Sequence, residues 1–275
     1  MSSVNDQESY KILVDQVLDS FDESQNARLV EVLRSAVKHL HAFVEETGLT
    51  RDEWMAGIEF LTDTGKKCVD SRQEFILLSD TLGVSMLVEI VNQGATDKAT
   101  DATVLGPFYV ADSPPMEMGA FIGRDEDAVT PLTLEGTVRG AEGGVLEDAV
   151  IEVWQVAPNG LYDVQDVKGV FPNYRAMFRT GADGKFSLRT SRPVDYQIPV
   201  DGPVGTMLNA TGRHSWRAAH THFRVSRDGY KTLVTHVFDA ASHHLTSDAV
   251  FGVRDSLIVD MGGAAATFDI TLDAV

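Results

Sequence analysis

The spacing of apolar residues changes along the 275-residue chain, and this change constrains the fold more than any single motif. From Leu29 to Val44, apolar residues recur at helical spacing with charged residues between them. Gly48 is placed to end this helix, and Thr50–Glu53 has the pattern of a capping box that opens the next one. Similar patterns at Arg72–Leu82 and Val84–Asn92 predict that the first third of the chain is helical.

The remainder of the chain, from about Pro131, has the pattern of an all-β structure. Leu132–Val138 alternates apolar and polar residues, as in a half-buried strand, and Val150–Trp154 is apolar enough for a strand buried on both faces. Asp183-Gly184 has the composition of a hairpin turn between two further strands. Short, regularly spaced strands favour a β-sandwich, so we predict an α+β protein with a helical N-terminal region and a C-terminal β-sandwich.

These patterns divide the chain into three segments. Residues 1–93 form a helical N-terminal region suited to dimerisation, and residues 131–275 form the β-sandwich domain, which would carry the catalytic residues. Residues 94–130 connect them. Gly106-Pro107 interrupts an apolar run in this connection, and a Gly-Pro pair is incompatible with a central strand or a helix interior. We therefore expect an irregular apolar loop that walls a pocket.

The formal net charge of −18 limits the possible partners. Nucleic acids and anionic membrane surfaces would be repelled, so neither is expected to bind. Cys68 is the single cysteine, which excludes an internal disulfide and favours a reducing cytoplasm. The polar start at Met1–Glu8 does not resemble a secretory signal, and no apolar run reaches the ~20 residues of a membrane span.

Arg213–Phe223 carries the first chemical signal, because His220 and His222 lie on one predicted strand. Alternate residues of a strand point to the same side, so the two imidazoles project together, roughly 7 Å apart along the chain. This suits two ligands of one transition metal, although a hydrogen-bonded pair in a β-rich core is an equal alternative. The choice of metal also stays open, because a zinc site could be completed by His214, His236, His243 or His244.

Two tyrosines lie in distinctive settings, Tyr162 within Asn159–Gln165 and Tyr196 within Asp195–Pro203. An ordinary tyrosine at a strand end packs its ring and bonds its hydroxyl to the backbone. A phenol ionises near pH 10, so it becomes an anionic ligand only where a strongly Lewis-acidic ion removes its proton. Ferric iron is such an ion, and two phenolates with two imidazoles would hold iron in the ferric state.

The order of these motifs resembles the intradiol ring-cleaving dioxygenases, in their catechol 1,2-dioxygenase branch. The likeness covers nearly the whole chain, and its most specific stretches are Gly160–Tyr162, Tyr196–Pro199, Asp201–Pro203 and Arg213–Phe223. It implies one non-haem Fe(III) per subunit, bound by Tyr162, Tyr196, His220 and His222. It also implies that Tyr196 can leave the iron and take a substrate proton, and that Arg217 stabilises negative charge on the substrate ring.

Within this branch, the chain is similar to the members that cleave hydroxyquinol (benzene-1,2,4-triol) to 3-hydroxy-cis,cis-muconate, the enol form of maleylacetate. The stretches that carry this likeness are Gln73–Asp80, Val104–Phe108, Tyr162–Gln165 and Ser247–Val253. Besides Arg217, the implied substrate-binding residues are Leu77, Asp80, Val104, Leu105, Gly106, Pro107, Phe108, Ile198, Pro199 and Val250.

Two positions, Asp80 and His236, leave alternatives open. Asp80 could accept a hydrogen bond from a third ring hydroxyl, or it could be a surface aspartate near the end of a helix. Relatives that cleave catechol generally have Gln where this chain has His236, which is either a hydrogen-bond donor behind the metal ligands or a core residue.

Other functions also fit the sequence. A catechol 1,2-dioxygenase would use the same ligands to make cis,cis-muconate, a zinc hydrolase would use the histidines, and a non-catalytic β-sandwich binding protein would merely pack them. The resemblance implies a small aromatic diol or triol and O2 as substrates, with no organic cofactor. It also implies a homodimer formed through the N-terminal helices, possible lipid between the subunits, and a role in aromatic catabolism.

Overall fold

A computed structural model describes residues 4–70, 72–93, 98–124, 129–167 and 171–275. The chain divides into two compact units, residues 1–61 and 62–275. The first unit is helical, with α1 at Val4–Asp19, α2 at Ala27–Thr47 and the start of α3, which runs over Arg51–Lys67.

Capping residues fix the ends of α2 and α3. The side chain of Asn26 accepts a hydrogen bond from the backbone N–H of Leu29 at 3.0 Å and so begins α2. Gly48 follows its last residue in the left-handed conformation, with φ 59°. The N–H of Thr50 donates to Glu53 Oε2 at 2.8 Å, and the N–H of Glu53 donates to Thr50 Oγ1 at 3.3 Å. The predicted capping box and helix end are therefore confirmed.

The second unit contains α4 at Glu74–Thr81 and α5 at Val84–Asn92, which Gly83 separates with φ 72°. It also contains α6 at Pro203–Ala210, so the prediction that everything after Pro131 is β-structure is wrong at this point. Pro203 occupies the first turn of α6, where its missing N–H costs no helical hydrogen bond. Within the described ranges, no helix combines the length and the apolar character needed to cross a lipid bilayer.

The strands of the second unit form two sheets that pack face to face. One sheet has the order β3-β2-β7-β8-β9. In the other, β1 pairs with β10 over Thr133–Glu135, with β11 over Val138–Gly140, and also with β4. A separate ladder joins β5 to β6. The strand bounds are β1 Pro131–Gly140, β2 Val150–Trp154, β3 Arg175–Arg179, β4 Lys185–Ser191, β5 Tyr196–Gln197, β6 Trp216–Arg217, β7 His220–Ser226, β8 Leu233–Asp239, β9 Ile258–Val259, β10 Ala265–Thr267 and β11 Ile270–Leu272.

Apolar side chains from both sheets form one core. Leu134 and Val138 of β1 lie in the same cluster as Ile151 of β2, Phe223 of β7 and Val237 of β8, all of them buried. Two sheets whose inward-facing residues share one core form a sandwich. The α+β class, with helices first and a sandwich after them, is confirmed.

The turn at Asp183-Gly184 differs from its prediction. Gly184 has φ 67°, as a tight turn requires, but the strands on either side do not pair with each other. β3 pairs with β2, whereas β4 pairs with β1 through a register that places Lys185 opposite Thr137. The turn therefore carries the chain from one sheet to the other, because the long edge of β1 offers β4 more hydrogen bonds than a short hairpin with β3.

Candidate metal centre

The register of three neighbouring strands places an aromatic side chain and two histidines in one row. His222 on β7 lies opposite Trp154 on β2 and opposite His236 on β8. The Trp154 ring stacks on the His222 ring, with centroids 4.6 Å apart and planes 15° apart. His220, two residues earlier on the same face of β7, brings its Nε2 to 3.1 Å from Nε2 of His222.

Two tyrosines approach this pair of imidazoles from loops and from the short ladder. A turn at Gly160, with φ 79°, directs the chain after β2 so that Tyr162 Oη lies 2.8 Å from Nε2 of His222. Tyr196 lies on β5 opposite Arg217 on β6, and its Oη is 3.2 Å from Tyr162 Oη. Two phenol oxygens and two imidazole nitrogens therefore converge on one point, although the residues are far apart in sequence.

Hydrogen bonds behind the imidazoles orient them. Nδ1 of His220 donates to the carbonyl oxygen of Ala218 at 2.6 Å, which leaves Nε2 with its lone pair. Nδ1 of His222 lies 2.7 Å from Nε2 of His236. When Nδ1 of His222 carries the proton and donates it to His236, Nε2 of His222 keeps its lone pair. Partners that fix the tautomer in this way are typical of histidines that bind metal ions.

Burial controls the charge of this cluster. It lowers the pKa of His220 and His222 well below the ordinary value, and the positive charge of Arg217 lowers both further, so both rings are neutral. Burial also raises the pKa of Tyr162 well above its ordinary value and raises that of Tyr196, with Arg217 opposing both shifts. The phenols therefore stay protonated until a cation takes the place of their protons.

Arg217 is a buried cation beside the tyrosines. Its Nη1 lies 3.3 Å from Tyr196 Oη and 3.2 Å from Nε2 of His220. Its Nε donates to Asp248 Oδ1 at 3.1 Å and its Nη2 to Oδ2 at 3.4 Å, while Oδ2 also accepts from the N–H of Gly252 at 2.8 Å. Although burial lowers the pKa of Arg217, Asp248 and the tyrosines raise it more, so the guanidinium keeps its charge.

The donor set fits a trivalent transition metal. Neutral imidazole nitrogens suit iron, and phenol oxygens that lose their protons to an ion offer it hard, anionic ligands. His220, His222 and His236 also form a group whose ring nitrogens lie within 4.8 Å of one another. Nε2 of His236 lies 2.7 Å from Nδ1 of His222, so this third histidine contacts the ring nitrogen of His222 that does not face Tyr162.

The predicted pocket residues fall into two groups. Phe108, Ile198 and Pro199 line a groove of about 740 Å³ that also reaches Tyr196. Leu77, Asp80, Val104 and Val250 are buried in the same unit and do not line this groove; Val104 and Val250 pack in one small apolar cluster.

The loop between these groups runs past the histidines. A Cβ built on Gly106 would lie 3.5 Å from the ring of His222, and Leu105 and Pro107 flank it on the irregular loop expected from the sequence. Asp80 on α4 is 2% exposed, which excludes the alternative of a surface aspartate. Burial raises its pKa, and its Oδ1 has no hydrogen-bond partner among the described residues.

The other histidines named from the sequence lie outside this cluster. His214 is exposed and packs near His244, with ring centroids 5.3 Å apart, and His243 contacts Asp195. Sequence reasoning did not identify Asp248 or the Trp154 stack as parts of the site. Trp154 could be identified only from the pairing of β2 with β7, which the sequence does not show. Asp248 could have been sought as the counter-charge that a buried arginine requires.

The chain matches two known protein families. Residues 104–274 match the family described as "Dioxygenase", and residues 26–100 match the one described as "Catechol dioxygenase N terminus". The chain belongs to the intradiol ring-cleaving dioxygenase family. Intradiol dioxygenases use non-haem iron, and the histidine cluster described above is able to hold a metal ion. An aromatic compound and O2 are accordingly the substrates.

Individual intradiol dioxygenases resemble the chain over most of its length. It is 46% identical over 244 residues to the 6-chlorohydroxyquinol 1,2-dioxygenase of Cupriavidus pinatubonensis, covering 89% of this chain and 88% of that protein. It is 47% identical to the hydroxyquinol 1,2-dioxygenase of Nocardioides simplex, covering 90% and 83%. The solved hydroxyquinol 1,2-dioxygenase of Pseudomonas putida DLL-E4 superposes with a TM-score of 0.87 at 43% identity, covering 98% of this chain and all of that one.

Proposed function

We propose that this protein is an Fe(III)-dependent intradiol dioxygenase that cleaves hydroxyquinol with O2 to 3-hydroxy-cis,cis-muconate, the enol form of maleylacetate. The observation that carries the proposal is the convergence of Tyr162 Oη, Tyr196 Oη and the Nε2 atoms of His220 and His222. The names of the relatives described above support hydroxyquinol as the substrate. The role in aromatic catabolism follows from that reaction.

Each ligand residue has a distinct part in this proposal. Ferric iron held by Tyr162, Tyr196, His220 and His222 would supply the Lewis acidity that binds the diol as its dianion and makes its ring reactive toward O2. Tyr196 is the residue that takes a proton from a substrate hydroxyl at its Oη. Arg217, whose Nη1 lies 3.3 Å from that oxygen, balances the negative charge that the substrate brings into the buried site.

Selection of a triol over a diol is assigned to Asp80. Its buried Oδ1 has no hydrogen-bond partner among the described residues, and its pKa responds to the charges of Arg217 and Asp248, which indicates that the three groups are near one another. A substrate hydroxyl that donates to this oxygen would satisfy a polar atom that otherwise costs free energy. The rest of the substrate pocket is assigned to Leu77, Val104, Leu105, Gly106, Pro107, Phe108, Ile198, Pro199, Arg217 and Val250.

Iron content, colour and oxygen uptake test the function together. Natively purified protein should contain one iron per subunit and absorb visible light through tyrosinate-to-iron charge transfer. Oxygen uptake should be fastest with hydroxyquinol when hydroxyquinol, catechol and protocatechuate are compared side by side. A colourless protein without iron would refute the enzyme, zinc in place of iron would favour a hydrolase, and faster uptake with catechol would reassign the substrate.

A homodimer formed through the N-terminal helices is a further part of the proposal. Leu33, Leu40 and Phe43 of α2 and Trp54 and Ile58 of α3 are 37% to 62% exposed, which is unusual for so many large apolar side chains. A second subunit, with lipid in any remaining apolar space, would cover them. Analytical ultracentrifugation and native mass spectrometry should detect the dimer and any bound lipid. A cytoplasmic location stays a prediction that rests on the single cysteine.

A further inference from the structure

Arg175 on β3 is a buried arginine that the proposed reaction does not use. Its Nη2 donates to Asp163 Oδ1 at 2.7 Å and its Nε donates to Oδ2 at 3.0 Å, so the two side chains form a bidentate pair. Both side chains are 1% exposed. A bidentate pair restricts the relative orientation of its two groups more than a single hydrogen bond does, and loss of either partner leaves a buried charge unpaired.

Asp163, one member of this pair, lies next to a proposed iron ligand. Asp163 directly follows Tyr162 in the chain. Its Oδ1 also accepts from the N–H of Val164 at 3.0 Å, and its Oδ2 from the N–H of Asn173 at 3.3 Å. The Asp163 carboxylate therefore accepts hydrogen bonds from the backbone just after Tyr162 and from the backbone just before β3. Arg175 binds the same carboxylate.

Arg175, the other member, also contacts a residue that lines the proposed substrate groove. Nη2 of Arg175 also donates to the carbonyl oxygen of Phe108 at 3.0 Å. The Phe108 ring packs on the Tyr162 ring with centroids 4.8 Å apart, and Phe108 lines the same groove as Tyr196. Gly106, two residues earlier, lies against His222. One guanidinium thus contacts both the segment that presents Tyr162 and the loop that bounds the groove.

We propose that Arg175 is a positioning residue that fixes the Tyr162 phenol and the Phe108 side chain relative to each other. Metal binding and the fit of the substrate then both depend on the Arg175 side chain. The inference rests on the proposed function, because it takes Tyr162 as an iron ligand. A lysine in place of Arg175 would keep the positive charge, but its single ammonium cannot reproduce the paired contacts to Asp163 together with the contact to Phe108.

The test compares Arg175→Lys with Arg179→Lys, which changes an exposed arginine at the other end of the same strand. Iron affinity is measured by competition with a chelator, the tyrosinate-to-iron band is recorded without substrate, and KM and kcat are measured with hydroxyquinol. For Arg175→Lys we expect iron affinity to fall about 10- to 100-fold, the band to shift and KM to rise. Arg179→Lys should match the wild type in all of these measurements.

The outcomes separate this inference from the proposed function. A wild-type protein without the charge-transfer band would refute the proposed function and this inference with it. A wild-type protein with the band, together with an Arg175→Lys protein that keeps the band, iron affinity and KM and loses only thermal stability, would overturn this inference alone. If Arg175→Lys does not fold, Asp163→Asn, which keeps the shape of the partner and removes its charge, is measured in the same way and decides the question.

Discussion

Nε2 of His236 on β8 lies 2.7 Å from Nδ1 of His222 on β7, and both rings are buried at opposed positions of the strand pair. This contact determines which nitrogen of His222 faces the tyrosines. The His236 ring also faces the backbone carbonyl oxygen of Val104, on the loop that passes the site, and this contact acts against the lowering of its pKa by burial. His236 therefore connects the sheet, a proposed metal ligand and the pocket loop.

Replacement of His236 should weaken metal binding without removing any ligand. In His236→Leu, Nδ1 of His222 loses its partner, so the ring is free to adopt the wrong tautomer or to rotate. We expect iron affinity to fall roughly 10- to 100-fold, as is usual for such supporting residues. His236→Gln, which can still accept a hydrogen bond, should lose less. Chelator competition measures both, and equal affinity in His236→Leu and the wild type would contradict this role.

The metal-free protein should lose stability as the pH falls below about 6.5, the ordinary pKa of histidine. Burial lowers the pKa of His220, His222 and His236 well below that value in the folded state, so only the unfolded chain takes up their protons. Each histidine then reduces the free energy of unfolding by up to about 1.4 kcal/mol per pH unit.

Urea denaturation of the metal-free protein between pH 7 and pH 5 measures this dependence. Because His236→Gln removes one of the three buried titrating groups, its free energy of unfolding should fall less steeply with decreasing pH than that of the wild type. Parallel curves for the two proteins would show that the buried histidines do not cause the acid sensitivity.

Asp80→Ala should change the choice of substrate. The lost hydrogen bond from the third ring hydroxyl to a carboxylate is worth about 1.5–3 kcal/mol, so kcat/KM for hydroxyquinol should fall roughly 10- to 100-fold. The value for catechol, which has no such hydroxyl, should fall less. Steady-state oxygen uptake with both substrates provides the comparison, and an equal loss on both would count against this role of Asp80.

Asp248→Asn should destabilise the fold and slow the reaction, because it leaves Arg217 buried without its counter-charge. The two side chains are only 2% and 4% exposed, and loss of one partner from such a pair costs about 3–5 kcal/mol. Asp239→Asn is the matched control, since its partner Arg192 is 27% exposed and remains hydrated. Denaturant unfolding should show the larger loss for Asp248→Asn, and kcat should fall in that variant alone.

Local patterns were sufficient to predict most strands and the helical character of the first third of the chain, but α6 was not predicted. The end of α2 and the start of α3 depend on caps that the sequence analysis identified, at Gly48 and Thr50–Glu53. The turn at Asp183-Gly184 was predicted as a turn, but which strands it joins depends on pairing with β1, a segment some fifty residues away along the chain. No local pattern contains that information.

The site residues, too, include some that local patterns predict and some that they do not. Alternation on one strand was enough to place His220 and His222 side by side, since it needs only the geometry of a single element. Their closeness to Tyr162 and Tyr196 came from the family resemblance, because spacing in sequence says nothing about loops that meet in space. The burial of Asp80 and the pairing of Arg217 with Asp248 required the folded chain, because both depend on what packs around a charge.

The β5–β6 ladder that carries Tyr196 is only two residues long and lies outside both larger sheets. Trp154, His222 and His236, in contrast, lie side by side on the central strands β2, β7 and β8. Local opening of a short ladder breaks few hydrogen bonds and leaves the sandwich core intact, so the backbone amides around Tyr196 should exchange with deuterium well before those of β7. We therefore expect the site to join a slow-exchanging half, built on the sheet, to a fast-exchanging half that would move during turnover without unfolding the domain.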